Sequence, residues 1–107
     1  MSGPNFFAVW EKESPETMQA FFEYAGKIQK NCGLDEKTFQ LIYIAIQASR
    51  GAVGSVAGHA AFAKKAGATR EEVRGAILTT LLTVGINGVA DCLAAAMEAY
   101  DKAPAAG

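Results

Sequence analysis

His59 is the only histidine in this 107-residue chain, and imidazole is the side chain whose ordinary pKa lies closest to neutral pH. It follows a run of small residues, Gly51-Ala52-Val53-Gly54-Ser55-Val56-Ala57-Gly58, which leaves room beside the ring for a ligand or a second helix. On a helix, residues four apart lie one above the other, so Ser55 shares a face with His59 and Ala52 continues that stripe. Arg50 lies one turn away from this stripe. An imidazole beside small residues suits proton transfer.

Each of these residues also has an architectural reading. A lone histidine with no acid partner close in sequence can simply bridge two helices. Ser55 has no Asp or Glu placed to complete a triad, and can be a packing or helix-start residue. Gln40 can bond to Ser55 or to a backbone carbonyl in the core. The glycine run lacks the Lys-Ser/Thr pair of a phosphate loop and follows a helix, so close helix crossing is the expected use of its glycines. Cys92 falls on an apolar helix face and reads as a small core residue. Cys32 lies near a helix end with only Lys30 as a nearby cation. Lys64-Lys65 reads as a solvated face.

Composition narrows the function classes. Half the residues are hydrophobic and a fifth are charged, which argues for a folded core and against disorder. Ten Lys+Arg against eleven Asp+Glu, without a basic block, exclude a nucleic-acid surface. The longest apolar stretch, Ala76–Ile86, is broken by Thr79, Thr80 and Thr83 and is too short to span a bilayer. The first residues, Met1-Ser2-Gly3-Pro4-Asn5, lack a charged start and an apolar signal core, and two cysteines give no disulfide framework. A cytoplasmic location, no membrane partner and a single domain over 1–107 are expected. The apolar supply is large for so short a chain, and part of it is expected in a subunit interface.

The elements that must position these residues are helical, and the predicted class is all-α with five to six helices. Residues 1–13 form an extension with an apolar cluster, a short turn or helix. Ser14-Pro15 starts a helix as N-cap and first residue, and Cys32-Gly33 ends it. Asp35 caps a second helix over 36–50, apolar nearly all round and therefore central. A third runs to Ala66 with Gly67 as its stop. Thr69-Arg70-Glu71-Glu72 is a capping box opening a fourth, with Val73, Ile77, Leu81 and Val84 on its face. Val89, Cys92, Leu93, Ala96, Met97 and Tyr100 mark the last helix, before a frayed tail over 103–107. The second and fourth of these helices are expected at the centre.

The block His59-x6-Ala66-Gly67-Ala68-Thr69-x-Glu71-Glu72-Val73, followed by an apolar helix ending in glycine, resembles the carboxymuconolactone decarboxylase and alkylhydroperoxidase D-like superfamily over residues 34–100. The resemblance implies an orthogonal helical bundle of the alkylhydroperoxidase D-like type, assembled as a homotrimer or a hexamer. Its peroxidase branch carries Cys-x-x-Cys-x-x-x-His with a Glu twelve residues before the first Cys. Those positions here are Gln40, Ala52, Ser55 and His59, and only the histidine remains. A hydroxyl and a methyl group cannot replace the attacking and resolving thiols, so peroxidase (peroxiredoxin-type) chemistry is disfavoured. The decarboxylase branch implies cofactor-free, lyase-type chemistry on a lactone or similar small acid. On that reading His59 moves the proton, Ser55 and Gln40 orient the ligand, Arg50 supplies a cation for the substrate carboxylate with Arg70 and Arg74 as weaker options, and neither cofactor nor metal takes part. A non-catalytic ligand-binding or assembly protein on a degenerate scaffold is the alternative.

Overall fold

The computed structural model describes residues 5–106, which form six α-helices and one short 3-10 turn, with no strand among them. Residues 1–4 of the expected N-terminal extension and Gly107 of the tail lie outside the described residues. The chain divides into two compact units, 1–34 and 35–107.

The first unit is a hairpin of α1 (Phe6–Glu13) and α2 (Pro15–Asn31). Asn5 caps α1, its side chain accepting from the Phe7 and Ala8 amides. Pro15 sits in the first turn of α2, where its missing N–H costs nothing. Ser14 departs from the expected cap. Its hydroxyl accepts from Thr17 Oγ1 at 2.7 Å instead of from a helix amide, and Thr17 in turn accepts from the Trp10 indole at 2.9 Å. Trp10, Phe21 and Phe22 pack as an aromatic cluster with Phe6 and Phe7, yet no residue of either helix is fully buried.

The second unit holds the core and the candidate residues. Helix α3 (Glu36–Ser49) is capped by Asp35, which accepts from the Thr38 amide at 2.7 Å. It ends in a Schellman motif: Ala52 N–H reaches the Gln47 carbonyl and Gly51 N–H the Ala48 carbonyl, with Gly51 at φ +69°. That left-handed residue turns the chain within three residues into α4 (Val53–Lys65), so α3 and α4 run as neighbours. The Thr69–Glu72 capping box opens α5 (Arg70–Thr79), and α6 (Asn87–Lys102) closes the unit.

Ile44, Ala48, Val56, Ala60, Ala63, Ala68, Val73, Ile77, Cys92 and Ala96 form the buried core. Half of these are alanines, so the helices approach closely instead of interlocking large side chains. The most extensive pairing is α4 with α6, followed by α3 with α4, and α5 contributes Val73 and Ile77 to the core between α3 and α6. Helix α3 touches α4, α5 and α6 but is not covered all round, since Ile42 and Ile46 stay exposed. The α5 face also stops early. Thr79 and Thr80 hydroxyls bond back to the Gly75 and Ile77 carbonyls, and the chain tightens into a 3-10 turn, Thr80–Leu82. Leu81 and Val84 are consequently rotated off the core and exposed.

Two further details differ from the expected pattern. Lys64 is not a solvated charge: its Nζ bonds the Tyr100 and Ala103 carbonyls at 3.0 and 2.8 Å, capping α6 and tying down the start of the tail. Close helix crossing falls to Gly88, not to Gly58, the glycine next to His59. A Cβ on Gly88 would lie 2.7 Å from the Ala48 carbonyl oxygen, whereas Gly58 has open space. Gly88→Ala is therefore expected to lower stability by about 1–3 kcal/mol through overpacking, read by urea denaturation, while Gly58→Ala leaves it unchanged or raised.

Candidate functional site

The α3–α4 pair carries two polar rungs. Gln40, Tyr43 and Gln47 recur at helical spacing on α3, and Ser55, His59 and Phe62 do so on α4. Because the chain reverses at Gly51, the C-terminal residue of one set meets the N-terminal residue of the other. Gln47 Nε2 donates to Ser55 Oγ at 2.9 Å, and His59 Nδ1 lies 2.6 Å from Gln40 Oε1. Between the rungs Tyr43 stacks on the imidazole, centroids 3.8 Å apart and planes 20° from parallel, and Phe62 meets the ring edge-on at 5.2 Å.

Four residues were singled out from the sequence, and their environments differ. Gln40 is 5% exposed, and both ends of its amide are engaged, with Nε2 donating to Glu36 Oε2 at 2.7 Å. Its carbonyl end faces the His59 ring. Ser55 is half-buried and bonded to Gln47, not to Gln40. Arg50 is exposed at the α3 C-cap and donates from Nη1 to Gln47 Oε1 at 2.9 Å, so it joins the Ser55 rung. The alternative cation Arg70 is committed to Asp101, through Nε at 2.8 Å and Nη2 at 3.2 Å.

Sequence reasoning missed Glu36, Tyr43 and Gln47. His59 does have an acid within electrostatic reach, Glu36, through the Gln40 amide. The signal was present as helical offsets, with Glu36 four before Gln40 and Gln47 seven after it. Without a register for α4 against α3, nothing distinguished these offsets from an ordinary polar stripe.

His59 Nε2 has no hydrogen-bond partner among the described residues, and the side chain is half-buried. Burial pushes the imidazole pKa below its ordinary value, with Glu36 opposing more weakly. The ring is thus neutral at pH 7, with one nitrogen held and the other available. Neither thiol is among its hydrogen-bond or ring contacts. Cys92 is fully buried in the α6 core, and desolvation first, then Asp91, raises its pKa away from thiolate formation. Cys32 is exposed in the other unit and donates to the Gln29 carbonyl. Among the described residues no three His, Cys, Asp or Glu side chains converge on a metal position, and no helix is long and apolar enough to cross a membrane.

The depressed imidazole has a consequence for stability. Between its folded value and the ordinary 6.5, the unfolded chain binds the proton more readily than the folded one. The His59 contribution is therefore complete above about pH 6.5 and is lost as pH falls through the folded value. Melting temperatures compared from pH 8 to 5 should decline more steeply for the wild type than for His59→Asn; parallel curves would exclude the shift.

No curated protein and no solved structure matches the chain. A family model described as the carboxymuconolactone decarboxylase family matches residues 15–98, beginning at the first residue of α2 and ending within α6. The matched span contains both polar rungs, and the chain belongs to the carboxymuconolactone decarboxylase family.

Proposed function

We propose that this protein carries out cofactor-free acid–base chemistry on a small organic acid, with His59 Nε2 as the proton carrier. The observation that supports this reading is the half-buried imidazole, gripped at Nδ1 by Gln40, stacked on Tyr43 and open at Nε2. As carbon dioxide departs from the substrate carboxylate, its bonding electron pair stays on carbon and delocalises into a neighbouring conjugated carbonyl. Nε2, having taken a proton from solvent, delivers it to the resulting enolate carbon, so one carboxylate and one proton become one C–H bond and carbon dioxide. Tyr43 and Phe62 offer apolar walls for a flat ring. The Ser55–Gln47–Arg50 rung lies along the same helix pair and offers a hydroxyl and a guanidinium for the acid group.

The family name suggests the substrate to try first, a carboxylated muconolactone. His59→Ala should lower kcat/KM for its decarboxylation by about 10²–10⁴-fold, the usual worth of a positioned acid–base group. Arg50→Ala should raise KM more than it lowers kcat. Full turnover by the His59 variant would remove the proposal.

A thiol peroxidase role has less support, because Ala52 and Ser55 stand where the thiols would be needed and the Cys92 thiol is buried. Assembly has a separate observation behind it. Leu82 is 88% exposed and Ile86 68%, with Leu78, Leu81 and Val84 also exposed around the α5–α6 connection. Such an apolar ridge suits self-association, and a homotrimer or hexamer is the assembly we propose. Leu82→Glu combined with Ile86→Glu should reduce the mass seen by light scattering to that of the single chain. If wild type is itself a monomer, the assembly reading fails.

A further inference from the structure

An amide side chain is polar at both ends, with two donors on nitrogen and an acceptor on oxygen, and Gln40 uses one end on each neighbour. An ionised carboxylate can only accept, so Glu36 Oε2 draws the NH2 end of Gln40 toward itself, at 2.7 Å. The carbonyl end is left facing His59 Nδ1, at 2.6 Å. A carbonyl also can only accept, so that ring nitrogen must carry the proton. In water the neutral imidazole prefers its proton on Nε2, and the arrangement therefore inverts the default. No other side chain bonds Gln40 among the described residues, and Tyr43 and Phe62 meet the imidazole through their rings.

We propose that Glu36 is a positioning residue: its negative charge, relayed by the direction of the Gln40 amide, fixes His59 as the Nδ1–H tautomer and leaves Nε2 as an acceptor. Nothing at Glu36 need touch substrate. The role deepens the reading of His59 as a proton carrier and rests on it for its functional meaning. Its structural content can be tested alone. Reversing the charge reverses the chain of logic: a lysine at this position only donates, so it attracts the Gln40 carbonyl. The NH2 end then faces the ring, which must accept at Nδ1 and place its proton on Nε2. A base in that tautomer has no lone pair to offer the substrate side.

Ring-nitrogen NMR on the 15N-labelled full chain at about pH 8, above the ordinary imidazole range, reads the tautomer directly. One histidine means one pair of ring signals. The wild type should show Nδ1 as the protonated nitrogen and Nε2 as the unprotonated one. Glu36→Lys should exchange the two patterns, and Glu36→Ala should shift the population toward Nε2–H. Glu36 is exposed in the first turn of α3, so both variants are expected to fold, which backbone amide spectra check; either alone decides the question. A wild type protonated on Nε2, or variants that keep Nδ1–H, would overturn the proposal. On a carboxymuconolactone substrate, Glu36→Lys should lose roughly 10²-fold in kcat with a smaller change in KM. An exchange of tautomer in a protein whose wild type turns over no such substrate leaves Glu36 in its role and removes the enzymatic reading. Turnover that depends on His59 but not on Glu36 does the opposite.

Discussion

The close approach of helices through alanine decides where His59 sits. Ala48 on α3, Ala60 and Ala63 on α4, and Ala96 on α6 are all fully buried, and the α6 backbone at Gly88 lies against the Ala48 carbonyl. Side chains this small let helix axes approach the short end of their usual separation, about 8 Å. The polar rungs depend on that distance. Helices moved apart by about an ångström would carry the 2.6 Å contact between Gln40 and His59 out of hydrogen-bond range. The polar geometry is thus a consequence of an apolar constraint, and the core acts on the site by fixing how far apart α3 and α4 can be.

Within that spacing, the choice of glutamine at position 40 sets the electrostatics. A carboxylate there would stand one helical turn from Glu36, placing two like charges on one stripe and beside the imidazole. Such a pair would pull the imidazole toward its protonated form, against the burial that keeps it neutral. The amide keeps the hydrogen bond and omits the second charge. It also converts a symmetric acceptor into a directional group, so the identity of its far partner matters at the near end. The position that carries the acid in the peroxidase pattern here carries a transmitter of polarity.

Much of the fold was legible because it is written in local chemistry. The Asp35 cap, the Thr69–Glu72 capping box and the glycine turns each satisfy backbone groups within a few residues, so their sequence signatures suffice. Cys92 was recognisable as core from its place on an apolar stripe. What depended on register between helices was not legible. Gln40 was assigned a possible bond to Ser55, whereas Gln47 makes that bond and Gln40 makes the one to His59. Lys64 looked like a surface charge because the carbonyls it caps are 36 and 39 residues away. The loss of the α5 face at Thr80 was hidden because apolar periodicity continues through a segment whose hydroxyls have already tightened the backbone.

The pattern of exposure in each unit explains why α3 reads as more central than it is. Its sequence is apolar nearly all round, yet Gln40, Ile44 and Ala48 are the positions that become buried, while Ile42 and Ile46 stay exposed. Fully burying such a side chain is worth about 1.5–3 kcal/mol, so an isoleucine left roughly half exposed forgoes about as much as one net hydrogen bond contributes. The α1–α2 hairpin poses the same problem in stronger form, because its aromatic residues pack on one another without any becoming fully buried. Phe62 poses it beside the site itself: it meets the imidazole edge-on and is 54% exposed, so any surface that covered it would make the ring drier, and a drier ring is a more strongly depressed base.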